Sequence, residues 1–308
     1  MALKLSDKWC WDFWLTQDSG QYHIFYLQAP KIDLGAGRRP WATGIGHACS
    51  TDLRHWRVLP DALHISNGTS WDDYALGAGS IVYYNGFWHL FYTGYCRAEG
   101  GRIERIGVAV SSDLQNWHKH HVNPVIKHNP TIYEALDRNF WPQQIWRNPY
   151  VQRDPINGGF YALISARSNR GPTNQRGVVA LARSTNLLDW QVLPPLYQPS
   201  SFIYIDSPQS VALGDSCRLL YSVSADAHAV QDRETALGGT YCLTGNSLTG
   251  PFIGSPRLLQ ADTKGSHLGG SLVQDVNGAW LLLTWCNDGQ NGNFDAYIAD
   301  PILIGNAF

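Results

Sequence analysis

The chain has 308 residues, of which 44% are hydrophobic and 16% charged, with a net charge of −2. This composition can bury a sizeable core and is not that of a disordered chain. The near-neutral charge argues against a nucleic-acid or polyanionic partner, and no apolar run is long enough to span a bilayer.

Residues 1–9 (MALKLSDKW) lack the apolar core and small-residue cleavage site of a secretory leader, so cytoplasmic residence is expected. From Trp11 onward three kinds of segment recur in the same order. The first reads WDFWL from Trp11, GSIVYY from Gly79, NPYVQRD from Asn148, DSPQSVAL from Asp206 and GGSLVQD from Gly269. The second reads QYHIFYLQ from Gln21, FWHLFYTG from Phe87, FYALISA from Phe160, CRLLYSVS from Cys217 and AWLLLTWC from Ala279. Turn residues precede most of these second segments, as in Asp18-Ser19-Gly20, Asn85-Gly86, Asn157-Gly158-Gly159 and Asn277-Gly278. The third reads GIGHACSTDLRHW from Gly44, IGVAVSSDLQNW from Ile106, GVVALARSTNLLDW from Gly177 and TYCLTGNSLTGPF from Thr240. The fifth copy ends on DAYIADPILI from Asp295.

The copies lie roughly sixty to seventy residues apart, the spacing of propeller blades. Each unit predicts an antiparallel meander with a hairpin between its first two strands. A ring leaves only short, protected edges, so the pattern predicts an all-β, five-bladed β-propeller around a central funnel. No Gly/Ser/Pro linker divides the chain, and residues 1–308 read as one domain. Residues 130–136 carry the one hint of helix.

The first strand of a blade lies innermost. Aligning the blades on their second strands brings Asp12, residues 77–79, Asn148, Asp206 and residues 267–270 to the axis. Two carboxylates and an amide then converge on one funnel, with glycines leaving room for a ligand. Hydrolysis of a glycosidic bond needs such a pair, one carboxylate as nucleophile or base and one as proton donor. Strand capping or a turn role competes with this reading, weakly for Asp12 between Trp11 and Phe13, seriously for Asp206 before Ser207-Pro208. Thirteen Trp and fifteen Tyr suit β-sheet packing first and sugar stacking second.

Trp11-Asp12-Phe13-Trp14 resembles the W-D-S-W nucleophile motif of glycoside hydrolase family 68, the levansucrase type. It is more loosely similar to W-M-N-D-P-N-G of family 32, the invertases and fructanases; family 43, which inverts, is more distant. The resemblance extends through the blade order over nearly the whole chain. It implies a five-bladed propeller acting on a small carbohydrate or glycoside, a β-fructofuranoside foremost, with retention and without a metal or other cofactor. It implies Asp12 as nucleophile, Asp206 as acid/base, and Asn148 with Arg147 as the clamp on sugar hydroxyls. Gln28 and Trp71 fall where these families often place sugar contacts, Ser80 fits the inner strand of blade two, and Trp11, Trp14 and His267 are further candidate substrate contacts.

Two positions depart from the family. Asn148 stands in Arg147-Asn148-Pro149 where Arg-Asp-Pro is expected, and Asp206 stands for a Glu. Asn148 is either a replacement that traps a ligand or the native residue of a slower hydrolase, a transferase or a silent sugar binder; an enzyme of changed chemistry on this scaffold is a third reading. A literal Arg153-Asp154-Pro155 reads as a hairpin turn at the far end of its strand. Glu134 and Asp137 read as a solvated loop, with the funnel rim as the alternative. The six cysteines form no C-x-x-C pair and read as small buried hydrophobes, with no metal site.

Overall fold

The computed structural model describes residues 2–32, 34–35, 38–137, 141–229, 236–262, 267–289 and 293–304. Among them, strands form five antiparallel sheets arranged as a five-bladed β-propeller. Blade one is β1 (Lys8–Asp18), β2 (Gln21–Pro30), β3 (Gly44–Ser50) and β4 (Arg57–His64). Blade two is β5 (Ala75–Tyr84), β6 (Phe87–Tyr95), β7 (Glu104–Ser111) and β8 (His118–Lys119). Blade three is β9 (Trp146–Arg153), β10 (Phe160–Arg167), β11 (Gly177–Ser184) and β12 (Trp190–Tyr197). Blade four is β13 (Asp206–Leu213), β14 (Ser216–Val223), β15 (Gly238–Gly245) and β16 (Phe252–Asp262). Blade five is β17 (Leu268–Gln274), β18 (Trp280–Asn287), β19 (Ala296–Ile298) and β20 (Ile302–Leu303), with β19 and β20 both paired to β18.

The inner strands β1, β5, β9, β13 and β17 neighbour one another in a ring that closes from β17 back to β1. A clasp completes the closure. Leu3 N–H donates to the Ile298 carbonyl at 2.9 Å, and Ile298 N–H donates back to Leu3 at 3.2 Å, an isolated antiparallel bridge that ties the segment before β1 to blade five. The apolar cores lie between neighbouring blades, where rings such as Phe91, Phe160, Tyr161 and Tyr221 are almost wholly removed from water. Each such burial stabilises by about 1.5–3 kcal/mol.

One turn is built alike in blades one, two and three. Asp52, Asp113 and Asn186 accept backbone N–H bonds from the two or three residues after them and hold the preceding Ser hydroxyl. Leu53, Leu114 and Leu187 follow at φ 61°, 63° and 68°, fully buried. The left-handed backbone is unfavourable for leucine, and burial of its side chain outweighs that cost. The indoles of Trp117 and Trp190 then donate to the Leu114 and Leu187 carbonyls at 3.0 and 2.9 Å.

Every inner strand carries a β-bulge at the same height. Register slips between Trp11 and Phe13, Gly77 and Gly79, Arg147 and Tyr150, Asp206 and Gln209, and Leu268 and Ser271. The bulge residues Asp12, Asn148, Ser207 and Gly269 have φ of 28°, 53°, 49° and 58°. Bulges re-aim side chains, and this ring of them sets the site.

The ring corrects one detail of the expected register. Asp206 is level with Arg147 and Trp11, one residue ahead of the bulge. Ser207, not Asp206, is the counterpart of Asp12 and Asn148. Residues 130–136 also hold no helix: Tyr133 N–H closes a single turn on the Asn129 carbonyl at 2.9 Å, and Glu134 N–H then bonds Arg167 at 2.8 Å. Glu134 is buried, not solvated, because Arg167 and Arg176 both pair with it. Asp154 sits in the β9–β10 turn, accepting from Ile156 N–H, Asn157 N–H and Arg183. Among the described residues no helix is long and apolar enough to cross a membrane.

Candidate active site

At one end of the axis a cavity of about 510 Å³ is lined by Trp11, Asp12, Arg39, Trp41, Tyr95, Gln143, Arg147, Asn148, Tyr204, Asp206 and Trp285, among others. Its charged groups come from the bulge level of three inner strands and from the loop after β2.

Asp12 opens the bulge of β1. Burial pushes its carboxyl above the usual carboxylate range. Arg39 opposes that most, Asp206 adds to it, and the Trp285 N–H and Arg147 oppose it. The Trp285 indole nitrogen is buried with no other hydrogen-bond partner. Gly269 leaves room for this pairing: a Cβ there would lie 2.9 Å from Trp285 Nε1 and 3.5 Å from Asp12 Oδ1. Arg39 lies over the rings of Trp285 and Phe294, 5.3 and 5.5 Å from their centroids.

Asp206 opens β13, and Arg147 forks onto it. Arg147 Nε donates to Oδ1 at 2.8 Å and Nη2 to Oδ2 at 3.1 Å; Asn148 Nδ2 adds a bond to Oδ1 at 3.2 Å. The third arm, Nη1, donates to Glu104 at 2.9 Å. Burial works against the Arg147 charge, but the Asp206 and Glu104 carboxylates outweigh it and hold the guanidinium firmly protonated. Glu104 is itself fully buried at the start of β7. Burial raises its pKa against the pull of Arg147, while Trp146 N–H donates to it at 2.8 Å and the Tyr95 hydroxyl at 3.3 Å. Asn148 is fixed at both ends, because its backbone N–H donates to Thr93 Oγ1 at 3.1 Å and Thr93 donates to the Ala78 carbonyl at 3.0 Å. Tyr204 covers the Arg147 guanidinium at 5.6 Å.

The structure thus brings Asp12, Asn148, Asp206, Trp11 and Arg147 to one cavity. Five other expected contacts lie elsewhere. Trp14 and Ser80 follow the bulge and line a second cavity, and Ser80 Oγ is engaged with Val151 N–H at 2.8 Å. Gln28 is buried within blade one, paired with Cys10 and Gly44. Trp71 packs on Tyr92 and over Gly94 and Gly107, which have no side chain to displace it. His267 precedes β17 and bonds Thr284 Oγ1 at 3.0 Å, outside the lining of the cavity. Sequence reasoning missed Glu104, Arg39, Tyr204 and Trp285; the mixed charges of Arg102-Ile103-Glu104-Arg105 at the mouth of a β run were the one cue to Glu104.

A five-bladed ring with two carboxylates and an arginine at one end of its axis defines the class, a propeller of the glycoside hydrolase kind. Residues 14–294 match the family described as glycosyl hydrolases family 32 N-terminal domain, and the chain belongs to it. The match begins two residues after Asp12. A sucrose-6-phosphate hydrolase of Zymomonas mobilis is 28% identical over 215 residues, covering 66% of this chain and 38% of that protein. A levanase of Bacillus sp. (strain L7) is 28% identical over 184 residues, covering 57% of this chain and 17% of the levanase. The chain therefore spans well under two thirds of these relatives. Among solved structures, an inulosucrase from Halalkalicoccus jeotgali bound to kestose superposes with a TM-score of 0.78 at 18% identity, covering 98% of this chain and 86% of the other. A Bombyx mori β-fructofuranosidase superposes at 0.70 and 20% identity, covering 97% and 61%. At such identities these two speak for the fold alone.

Proposed function

We propose that this propeller, acting as one unit over 1–308, hydrolyses or transfers a furanosyl group, a β-fructofuranosyl group foremost, with retention. Asp12 attacks the anomeric carbon and forms a glycosyl ester while the leaving oxygen takes a proton from Asp206. Water or an acceptor hydroxyl then displaces Asp12, giving its proton to Asp206. Arg147 and Asn148 hold sugar hydroxyls, and Trp11 walls the site. The observation that carries the reading is the placement of the Asp12 and Asp206 carboxyls in one cavity, from blades one and four. The names of the relatives support the substrate class. Six buried cysteines that form no disulfide suit a reducing compartment, and the reading includes cytoplasmic residence.

A second reading, a silent glycoside-binding propeller, is favoured by the Arg147 fork. Both Asp206 oxygens already accept from the guanidinium, so the group assigned as proton donor is engaged as an acceptor. Incubation with sucrose, short fructans and arabinofuranosides separates the two. Turnover that disappears in Asp12→Ala supports the enzyme. Saturable binding of the same sugars without turnover supports the silent form, and turnover indifferent to Asp12→Ala removes the nucleophile.

A further inference from the structure

The bulge ring divides the axis into two chambers. Residues up to the bulge line the carboxylate cavity. Residues from the bulge onward line a second cavity of about 340 Å³ at the other end, and Ala78, Asn148, Ser207 and Gly269 border both. That volume lies at the lower end of small-molecule sites, which run from about 300 to 1,000 Å³.

The second chamber differs from the first in charge. Its lining contains no Asp, Glu, Lys, Arg or His. It is walled by five aromatic rings, Phe13, Trp14, Tyr22, Tyr150 and Trp280. The Tyr22 and Tyr150 hydroxyls are spent on the Gln274 and Ser210 carbonyls at 2.9 and 3.0 Å, which leaves these rings as apolar faces. Gln209 is also spent, clamping the Leu272 backbone of the next blade. Thr16, Gln17 and Gln152, by contrast, line the chamber with side chains that make no hydrogen bond among the described residues. Ring faces beside unengaged amides and hydroxyls, with no counter-ion, match a ligand with C–H faces and many neutral hydroxyls.

We propose that this second chamber is a binding site for a neutral polyhydroxylated ring, a monosaccharide or the end residue of an oligosaccharide. It is independent of the chemistry proposed for Asp12 and stands even if that chemistry fails. Sugar acids and sugar phosphates are excluded, because burying their charge without a partner is costly.

The test is a titration of the full chain with D-fructose, D-glucose, D-galactose and sucrose, read on the indole ¹H–¹⁵N signal of Trp280, assigned with Trp280→Phe. At least one sugar shifts the signal saturably at millimolar concentration. Gluconate does not. Gln152→Ala weakens the shift about tenfold, equivalent to about 1.4 kcal/mol, and Thr16→Val serves if that variant does not fold. Asp12→Ala leaves the shift intact, which separates this chamber from the first. The proposal is overturned if none of the four sugars shifts the signal saturably, if gluconate shifts it equally, or if the shift survives loss of Gln152 and Thr16 but not loss of Asp12.

Discussion

Arg147 bridges two carboxylates that no sequence motif links, Asp206 through Nε and Nη2 and Glu104 through Nη1. Glu104 is fully buried, so it cannot exchange the guanidinium for water. Glu104→Gln removes the charge and turns one acceptor into a donor, facing either Arg147 Nη1 or the Trp146 N–H. Breaking a buried pair by one partner costs about 3–5 kcal/mol. Urea unfolding of the variant should show a loss of that size; a change below about 1 kcal/mol would mean that the pair contributes little.

Asn148→Asp acts on the same network from the other side. Asn148 Nδ2 lies 3.2 Å from Asp206 Oδ1. A carboxyl in its place faces a carboxylate, the arrangement in which one of two sites retains a proton. The variant would hold at the acid/base a shared proton that the present Asn148 amide cannot supply, ready for the leaving oxygen. The expected rise in kcat/KM on sucrose is about 10²–10³-fold, the scale of one stabilising group. An unchanged or lower rate would count against the assignment of Asn148 to the clamp.

Asp12 predicts an acid limb. Its pKa is raised by burial, with Arg39 as the largest opposing influence. The nucleophile must be ionised, so activity falls as pH drops through this raised pKa. Arg39→Ala removes the opposing charge and should carry the acid limb of kcat/KM to higher pH, leaving the plateau unchanged. A limb that stays in place would show that Arg39 does not act on Asp12.

The bulge ring has no tolerance at Gly79. A Cβ there would stand 1.8 Å from the Phe91 carbonyl oxygen and 2.7 Å from its carbon, both backbone atoms. Gly79→Ala must therefore push β5 from β6. Overpacking of this kind costs about 1–3 kcal/mol, and the melting temperature should fall accordingly. Gly86→Ala, in an open turn at φ 83° with nothing within 4 Å of the added atom, strains only the backbone and should cost less.

His47 makes the fold acid-sensitive. It is fully buried on Phe25, bonded to His23 Nδ1 at 2.9 Å, and burial pushes its pKa down to about 3. The unfolded chain takes up that proton near pH 6.5. Between these values the unfolded state binds more protons, so stability is lost as pH falls from about 6.5 towards 3, by about 1.4 kcal/mol per pH unit. His47→Gln changes absolute stability too, but its signature is a shallower slope of unfolding free energy against pH in that window, by one proton.

The blade pattern was legible because the second strand is buried along most of its length in every copy. Aromatic and branched residues therefore recur at matching positions, and Asn-Gly or Gly-Gly turns mark the hairpins. The height of each residue was less legible. Each bulge inserts one extra residue, unopposed in blades one and two and as a pair facing a single partner residue in blades three to five, and no composition rule announces which. Hence Asp206 was aligned one residue too far, and Ser80 and Trp14 were placed on the carboxylate side when they lie beyond the bulge. Gln28 and Trp71 look like sugar contacts by position. Their burial is decided by glycines on facing strands, Gly44 and Gly46 for Gln28, Gly94 and Gly107 for Trp71. Glu104 was missed because its partner, Arg147, belongs to another blade.

The Leu3–Ile298 clasp gives the ring a vulnerable seam. Those two backbone bonds cover the outer rim of β19 at Ile298. If the leading residues are cut, tagged or pulled aside, unpaired amides and carbonyls are laid bare, a template on which a neighbouring molecule can dock its own leading strand. Chains that trade these segments would form dimers or longer arrays without any change inside the blades.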